Sequence, residues 1–186
     1  MFIAAGEDVN FESIAPFTGM RALSLEKDTQ RISRPFDKTR SGFVCTGGGA
    51  TLVLETEEEM NRRGAKPYAE LLGWGQSSDG YNVAISHPEG HGLTRAMRNA
   101  LKACEVEAGD VDYINAHATS TLIGDASEVK AIREVFEKSG HFPKISSTKA
   151  ITGHGLSLAS ALETVIVSAS MREGITPVSA HIEELD

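Results

Sequence analysis

Residues 145–154 read ISSTKAITGH, and the chain runs on into LSLASALETVIV at 156–167. KISST has the composition and bounds of a short strand. GLSLASALETVIVSASMREG has helical length, small residues throughout and apolar character nearly all round, with Gly174 as its cap. Such a helix belongs between layers, so a strand followed by a central buried helix is expected. Lys149 and His154 then stand at the mouth of that helix, where a cation and an imidazole call for a reason.

Upstream the alternation repeats. VDYINAHA at 111–118 reads as a short apolar strand, and ASEVKAIREVFEK at 126–138 as an amphipathic helix. Asp125 is its expected N-cap, with Glu128 three residues on as in a capping box. PEGHGLTRAMRNALKAC at 88–104 has helical spacing through Leu93, Met97, Ala100 and Leu101. TEEEMNRRG at 56–64 reads as a short helix closed by Gly64. PYAELLGWGQSSDG at 67–80 is predicted to be a strand entering a loop, and ITPVSAHI at 175–182 is strand-like. GFVCTGGGATLVLE at 42–55 predicts a hairpin about Gly47–Gly49. The polar stretch 24–42, with Pro35, reads as a long surface loop. The alternation of strands and helices gives an α/β class with both sheet faces covered.

The bulk numbers exclude several functions. With 186 residues, 40% apolar and 24% charged, the chain has the composition of one soluble domain with a core. A net charge of −8 argues against a nucleic-acid partner. No apolar run has the length of a membrane span, and MFIAAGEDVNFES lacks the basic start of a signal peptide. Cys45 and Cys104 are expected to be free thiols in a reducing cytoplasm. Both termini read as cut, since a strand-like run opens the chain at Met1 and another precedes its end at Asp186.

Two strand ends carry the polar residues. One ends in His117, Thr119, Ser120 and Thr121, the other in Ser147, Thr148, Lys149 and His154. Ligands of α/β sheets bind beyond the carboxyl ends of strands. His117 and His154 are therefore expected to face one cleft with Lys149 between them. Two neutral imidazoles can donate to a developing oxyanion, and a nearby ammonium keeps them neutral. Other features point less far. Gly47–Gly49 lacks the Lys-Ser/Thr of a phosphate loop. His87 and His91 have metal-ligand spacing but no third ligand. Arg62, Arg63 and Lys66 form a small basic cluster, either plain surface or a contact for an acidic carrier. Cys45 lies inside a strand-like run, where a catalytic thiolate is not expected.

NAHATSTLIGDASEVKAI at 115–132 and STKAITGHGLSLASALE at 147–163 resemble the two histidine motifs of the β-ketoacyl-acyl-carrier-protein synthases. RPFDKTRSGFVCTGGGATLVLE at 34–55 and GITPVSAHIEELD at 174–186 are similar to further segments of that family, and the likeness is to its elongating members. The resemblance implies a thiolase-like layered fold. Residues 1–186 would be its C-terminal half, truncated at both ends, with 1–23 a remnant of the N-terminal half and 24–42 a connecting loop. It implies an acyltransferase that performs decarboxylative Claisen condensation of acyl and malonyl thioesters. No cofactor is implied beyond the phosphopantetheine of the acyl carrier protein, the expected partner. A homodimer is implied for the full-length form.

By the same resemblance, His117 and His154 stabilise the malonyl enolate and Lys149 is the active-site lysine. Thr119 and Thr121 line the phosphopantetheine arm, and Phe43 gates the malonyl pocket. Asp125 and Glu128 are the carboxylates behind the first histidine, with Glu128 the expected partner of Lys149. Asn115, Glu128 and Glu163 are positions that can surround a monovalent cation. Ala118 stands where glycine is commoner, implying a methyl beside the pantetheine tunnel. The family's nucleophilic cysteine and its C-terminal glycine- and phenylalanine-rich loop have no counterpart in these residues, so the isolated chain is expected to be inactive. The alternative is a non-catalytic partner subunit that pairs with a complete synthase.

Overall fold

The computed structural model describes residues 1–186. The chain opens with β1 (Phe2–Glu7) and α1 (Phe11–Gly19). Asn10 caps α1 by accepting the Ser13 N–H at 2.9 Å, and Ser13 Oγ accepts the Asn10 N–H at 3.0 Å. This reciprocal cap starts a helix that the pattern reading passed over. β2 (Gly48–Val53) pairs antiparallel with β1, from Phe2 opposite Val53 to Glu7 opposite Gly48.

The expected hairpin at 42–55 is therefore not formed. Phe43 bridges Leu23 and Cys45 bridges His154, while only the second run joins β1. Gly47 and Gly48 do not make a turn. They let β2 approach β1, since a Cβ at Gly47 would lie 3.0 Å from the Glu7 carbonyl oxygen.

α2 (Glu57–Arg62) starts on a Thr56 cap and ends before Gly64, as expected. α3 (His91–Cys104) follows. Then β3 (Tyr113–Asn115), α4 (Leu122–Phe136) and β4 (Lys144–Ser146) make a strand–helix–strand unit with β3 and β4 parallel. α5 (Lys149–Thr152), a single 3-10 turn at Leu156–Leu158 and α6 (Ala159–Glu173) complete the elements, with Gly174 in the left-handed conformation after α6.

Four further expectations are corrected. Residues 67–80 form no strand. They run along α3, whose Arg95 and Asn99 side chains take the carbonyls of Ser78 and Gln76 at 2.7 and 3.3 Å in place of a ladder. Residues 175–182 also lack a strand. Ser146 Oγ bonds the Pro177 carbonyl and Ser179 Oγ accepts the Ser147 N–H, so side chains replace backbone pairing beside a proline that has no N–H.

Residues 24–42 are irregular but not a surface loop, because Ser33, Arg34, Phe36, Asp37 and Arg40 are buried. Phe36 packs with Ala116 and Ala118 in the core. Finally, α6 is not buried all round in this chain. Ala159, Ala161 and Ser170 are covered, while Val165 and Met171 are exposed.

Candidate active site

Because β3 and β4 are parallel, their carboxyl ends emerge at one edge. The next residues are bound tightly in place. Glu128 accepts the His117 N–H at 2.8 Å and the Ala118 N–H at 2.7 Å, and Ser147 Oγ donates to the Ala118 carbonyl at 2.8 Å. The His154 N–H donates to Val44 O at 2.8 Å and its carbonyl accepts the Thr46 N–H at 3.2 Å. The two imidazoles meet with centroids 5.1 Å apart and planes at 86°.

Lys149 sits behind them, 1% exposed, and its Nζ donates to Glu163 of α6. Burial and then the Lys149 charge push the His154 pKa down to about 4. The same causes, with His154 as a third, bring His117 to about 4. His117 is exposed to solvent in this chain, which screens its shift more. Both rings are neutral at pH 7. His154 Nδ1 is buried and has no partner. A buried N–H without an acceptor is the costlier defect, so the proton belongs on Nε2, a donor. The arrangement can therefore offer neutral N–H donors to an oxygen that gains negative charge.

Thr119 and Thr121 bring their hydroxyls within 3.1 Å, because Ser120 between them turns through φ +70°. Phe43 is 6% exposed and stands edge-on to His154 at 5.0 Å.

Residues 68–183 match the family model of the β-ketoacyl synthase C-terminal domain. The chain belongs to the β-ketoacyl synthase family. It is 40% identical over 169 residues to 3-oxoacyl-[acyl-carrier-protein] synthase 2 of Staphylococcus aureus, covering 91% of this chain and 41% of that protein. The chain thus spans less than half the length of the curated relatives it matches. Among solved structures, it superposes with a TM-score of 0.93 and 31% identity on a chain of a type II polyketide synthase ketosynthase in complex with its acyl-carrier protein, covering 100% of this chain and 47% of that one. The ishigamide ketosynthase/chain length factor gives 0.89 and 32%, with 100% and 44% covered. The fold is the thiolase-like fold of these ketosynthases.

Several residues of this chain differ from expectation. Lys149 pairs with Glu163 and not with Glu128, whose two oxygens hold the 117–118 backbone. Asp125 is not the N-cap of α4. Thr121 holds that position, and Asp125, one turn in, accepts the N–H groups of Thr121 and Phe36 at 3.2 and 3.0 Å and faces Arg40 at 3.5 Å. Burial raises the pKa of Asp125, of Glu128 and of Glu163. Ala118 is buried in the core with Phe36 and Ala116. Of the three positions considered for a cation, only Asn115 has an unused buried oxygen, since Glu128 and Glu163 are engaged.

The Cys45 thiol is pushed up by burial and by Glu7. The His87 and His91 rings lie 4.4 Å apart, but no group of three His, Cys, Asp or Glu side chains gathers to hold a metal. Arg62 and Arg63 are paired with Glu59 and Glu55. No helix is long and apolar enough to cross a membrane. Pattern reading missed Phe17, which stands edge-on to Phe43 at 5.3 Å. The Asn10–Ser13 cap, with Ile14 and Phe17 three apart, was the available signal.

Proposed function

We propose that this chain supplies the decarboxylating part of a 3-oxoacyl-acyl-carrier-protein synthase. The observation that carries the reading is the pair of neutral imidazoles, His117 and His154, at 5.1 Å with Lys149 buried behind them. In the reaction, the bond between the malonyl carboxylate and its methylene breaks and carbon dioxide leaves. The electron pair moves onto the thioester oxygen as an enolate, which the two histidines stabilise by donation. The carbanion then attacks an acyl thioester held on a cysteine outside these residues and expels its thiolate. Cys45, with its raised pKa, is not that nucleophile.

Thr119 and Thr121 present paired hydroxyls to the phosphopantetheine arm that the acyl carrier protein brings, and no bound cofactor is needed. Phe43 walls the malonyl pocket beside His154. The working enzyme is a homodimer of the longer protein, and the 186 residues alone do not condense.

The test is His154→Ala in the synthase that carries this chain. Carbon dioxide release from malonyl-carrier should fall about a hundred- to thousand-fold, the usual effect of losing one such donor. Acyl labelling of the cysteine should persist. Lost labelling with intact decarboxylation would overturn the reading.

The second reading, a non-catalytic partner of a complete synthase, draws on the likeness to a ketosynthase/chain length factor assembly. It is favoured if the His154→Ala variant leaves condensation by the assembled complex unchanged.

A further inference from the structure

Four rings form a chain of edge-on contacts through the site. Phe17 is edge-on to Phe43 at 5.3 Å and 75°, Phe43 to His154 at 5.0 Å and 76°, and His154 to His117 at 5.1 Å and 86°. The main chain of Phe43 is fixed on both sides: its N–H donates to Ala22 O at 3.1 Å and its carbonyl accepts the Ser24 N–H at 2.9 Å. Its remaining freedom is the ring torsion, and the Phe17 ring lies against that ring. His154 is held by its backbone, yet its Nδ1 has no hydrogen-bond partner. An imidazole whose plane must be set usually has a bond on one nitrogen to set it. Here ring packing takes that place.

We propose that Phe17 is a positioning residue for His154: through Phe43 it sets the plane of the imidazole beside His117 and keeps water from that side of the ring. The proposal rests on the reading of His154 as an oxyanion donor, but its own test concerns geometry. α1 sets Phe17 in place through the Asn10–Ser13 cap, so a segment far from the histidine motifs reaches the donor pair. Phe17 is half-buried and Phe43 nearly fully so. Truncating Phe17 therefore opens Phe43 to solvent and frees its ring. The titratable neighbours of His154 are Lys149 and His117, with Cys45 bridged to its backbone and Glu7 next to Cys45. None of them changes in the variants below.

The test is NMR on the 186-residue chain with Phe17→Ala and Phe17→Leu. The parent should show ring-to-ring Overhauser contacts between Phe43 and His154, and a His154 midpoint pushed down to about 4. In Phe17→Ala these contacts should fade, and the His154 midpoint should rise by about one unit or more toward the ordinary imidazole value of about 6.5. Phe17→Leu keeps bulk without a ring edge and should move both readouts in the same direction by less.

Parent-like contacts and midpoint in Phe17→Ala overturn the proposal. If that variant does not fold, the same result in Phe17→Leu overturns it. Loss of fold in both overturns it as well, because Phe17 would then serve the fold and not His154. An altered His154 together with undiminished carbon dioxide release in His154→Ala would instead sink the proposed function and leave this geometry standing.

Discussion

Lys149 and Glu163, fourteen residues apart, form an ion pair at the floor of the site, with the Lys149 side chain 1% and the Glu163 side chain 14% exposed. The pair sets a positive charge near two imidazoles and binds α6 to the start of α5. Removing one partner leaves the other charge buried and uncompensated. Lys149→Met should therefore cost about 3–5 kcal/mol in urea unfolding. The double variant Lys149→Met, Glu163→Leu should recover much of that loss. A double variant no more stable than Lys149→Met would show that the pair is not coupled.

The histidines make stability fall in acid. An unfolded histidine binds a proton near pH 6.5, whereas folded His154 does so only near 4. Between those values the unfolded state holds more protons, so stability drops as pH falls through the window. Asp125, Glu128 and Glu163, whose folded pKa values are raised, act in the opposite sense and lose stability as pH rises. Replacing His154 isolates one term. From pH 7 to pH 5 the parent should lose about 1–2 kcal/mol more than His154→Gln. Equal losses in urea titrations at the two pH values would contradict the assignment.

Arg40 ties three parts of the chain together. Its guanidinium donates to the Thr121 and Leu122 carbonyls at 3.1 and 2.8 Å, to the Asp37 carbonyl at 3.0 Å and to Asp186 at 2.6 Å. Arg40→Met should destabilise the fold by about 3–5 kcal/mol. Arg40→Lys should recover only part, because one ammonium cannot span four acceptors. A lysine variant with the parent's unfolding midpoint would rule out the need for the fork.

Gly90 precedes α3 with φ +64°, and a Cβ there would lie 2.5 Å from the Ser127 carbonyl oxygen and 2.8 Å from the Ala131 Cβ on α4. Gly90→Ala should cost at least about 2 kcal/mol, from left-handed strain together with the clash. The unfolding midpoint measures it, and an unchanged midpoint would mean that α3 and α4 do not meet this closely.

Cys45 should be a slow thiol. Burial and the Glu7 carboxylate both disfavour its thiolate. Alkylation by iodoacetamide at pH 7 should be slower than that of free glutathione, and Glu7→Gln should speed it. Rapid alkylation in the parent chain would contradict this.

The sequence by itself determined the strand–helix–strand unit, because the apolar run at 111–118, the helical spacing after it and KISST are patterns within one element. It also placed His117 and His154 at one edge, since parallel strands carry their carboxyl ends together. The tertiary structure decided what no period can encode. β2 chose β1 and not its neighbour in the chain, and residues 67–80 lost their ladder to the side chains of α3. Residues 33–37 and Arg40 went inside because Asp125 and the carbonyls at the start of α4 accept the Phe36 N–H and the Arg40 guanidinium. Lys149 took Glu163 because Glu128 was already committed to two backbone N–H groups. Local spacing reports which face a residue occupies. Which charge it meets there depends on how distant segments pack, and a buried charge goes to the partner that packing leaves free.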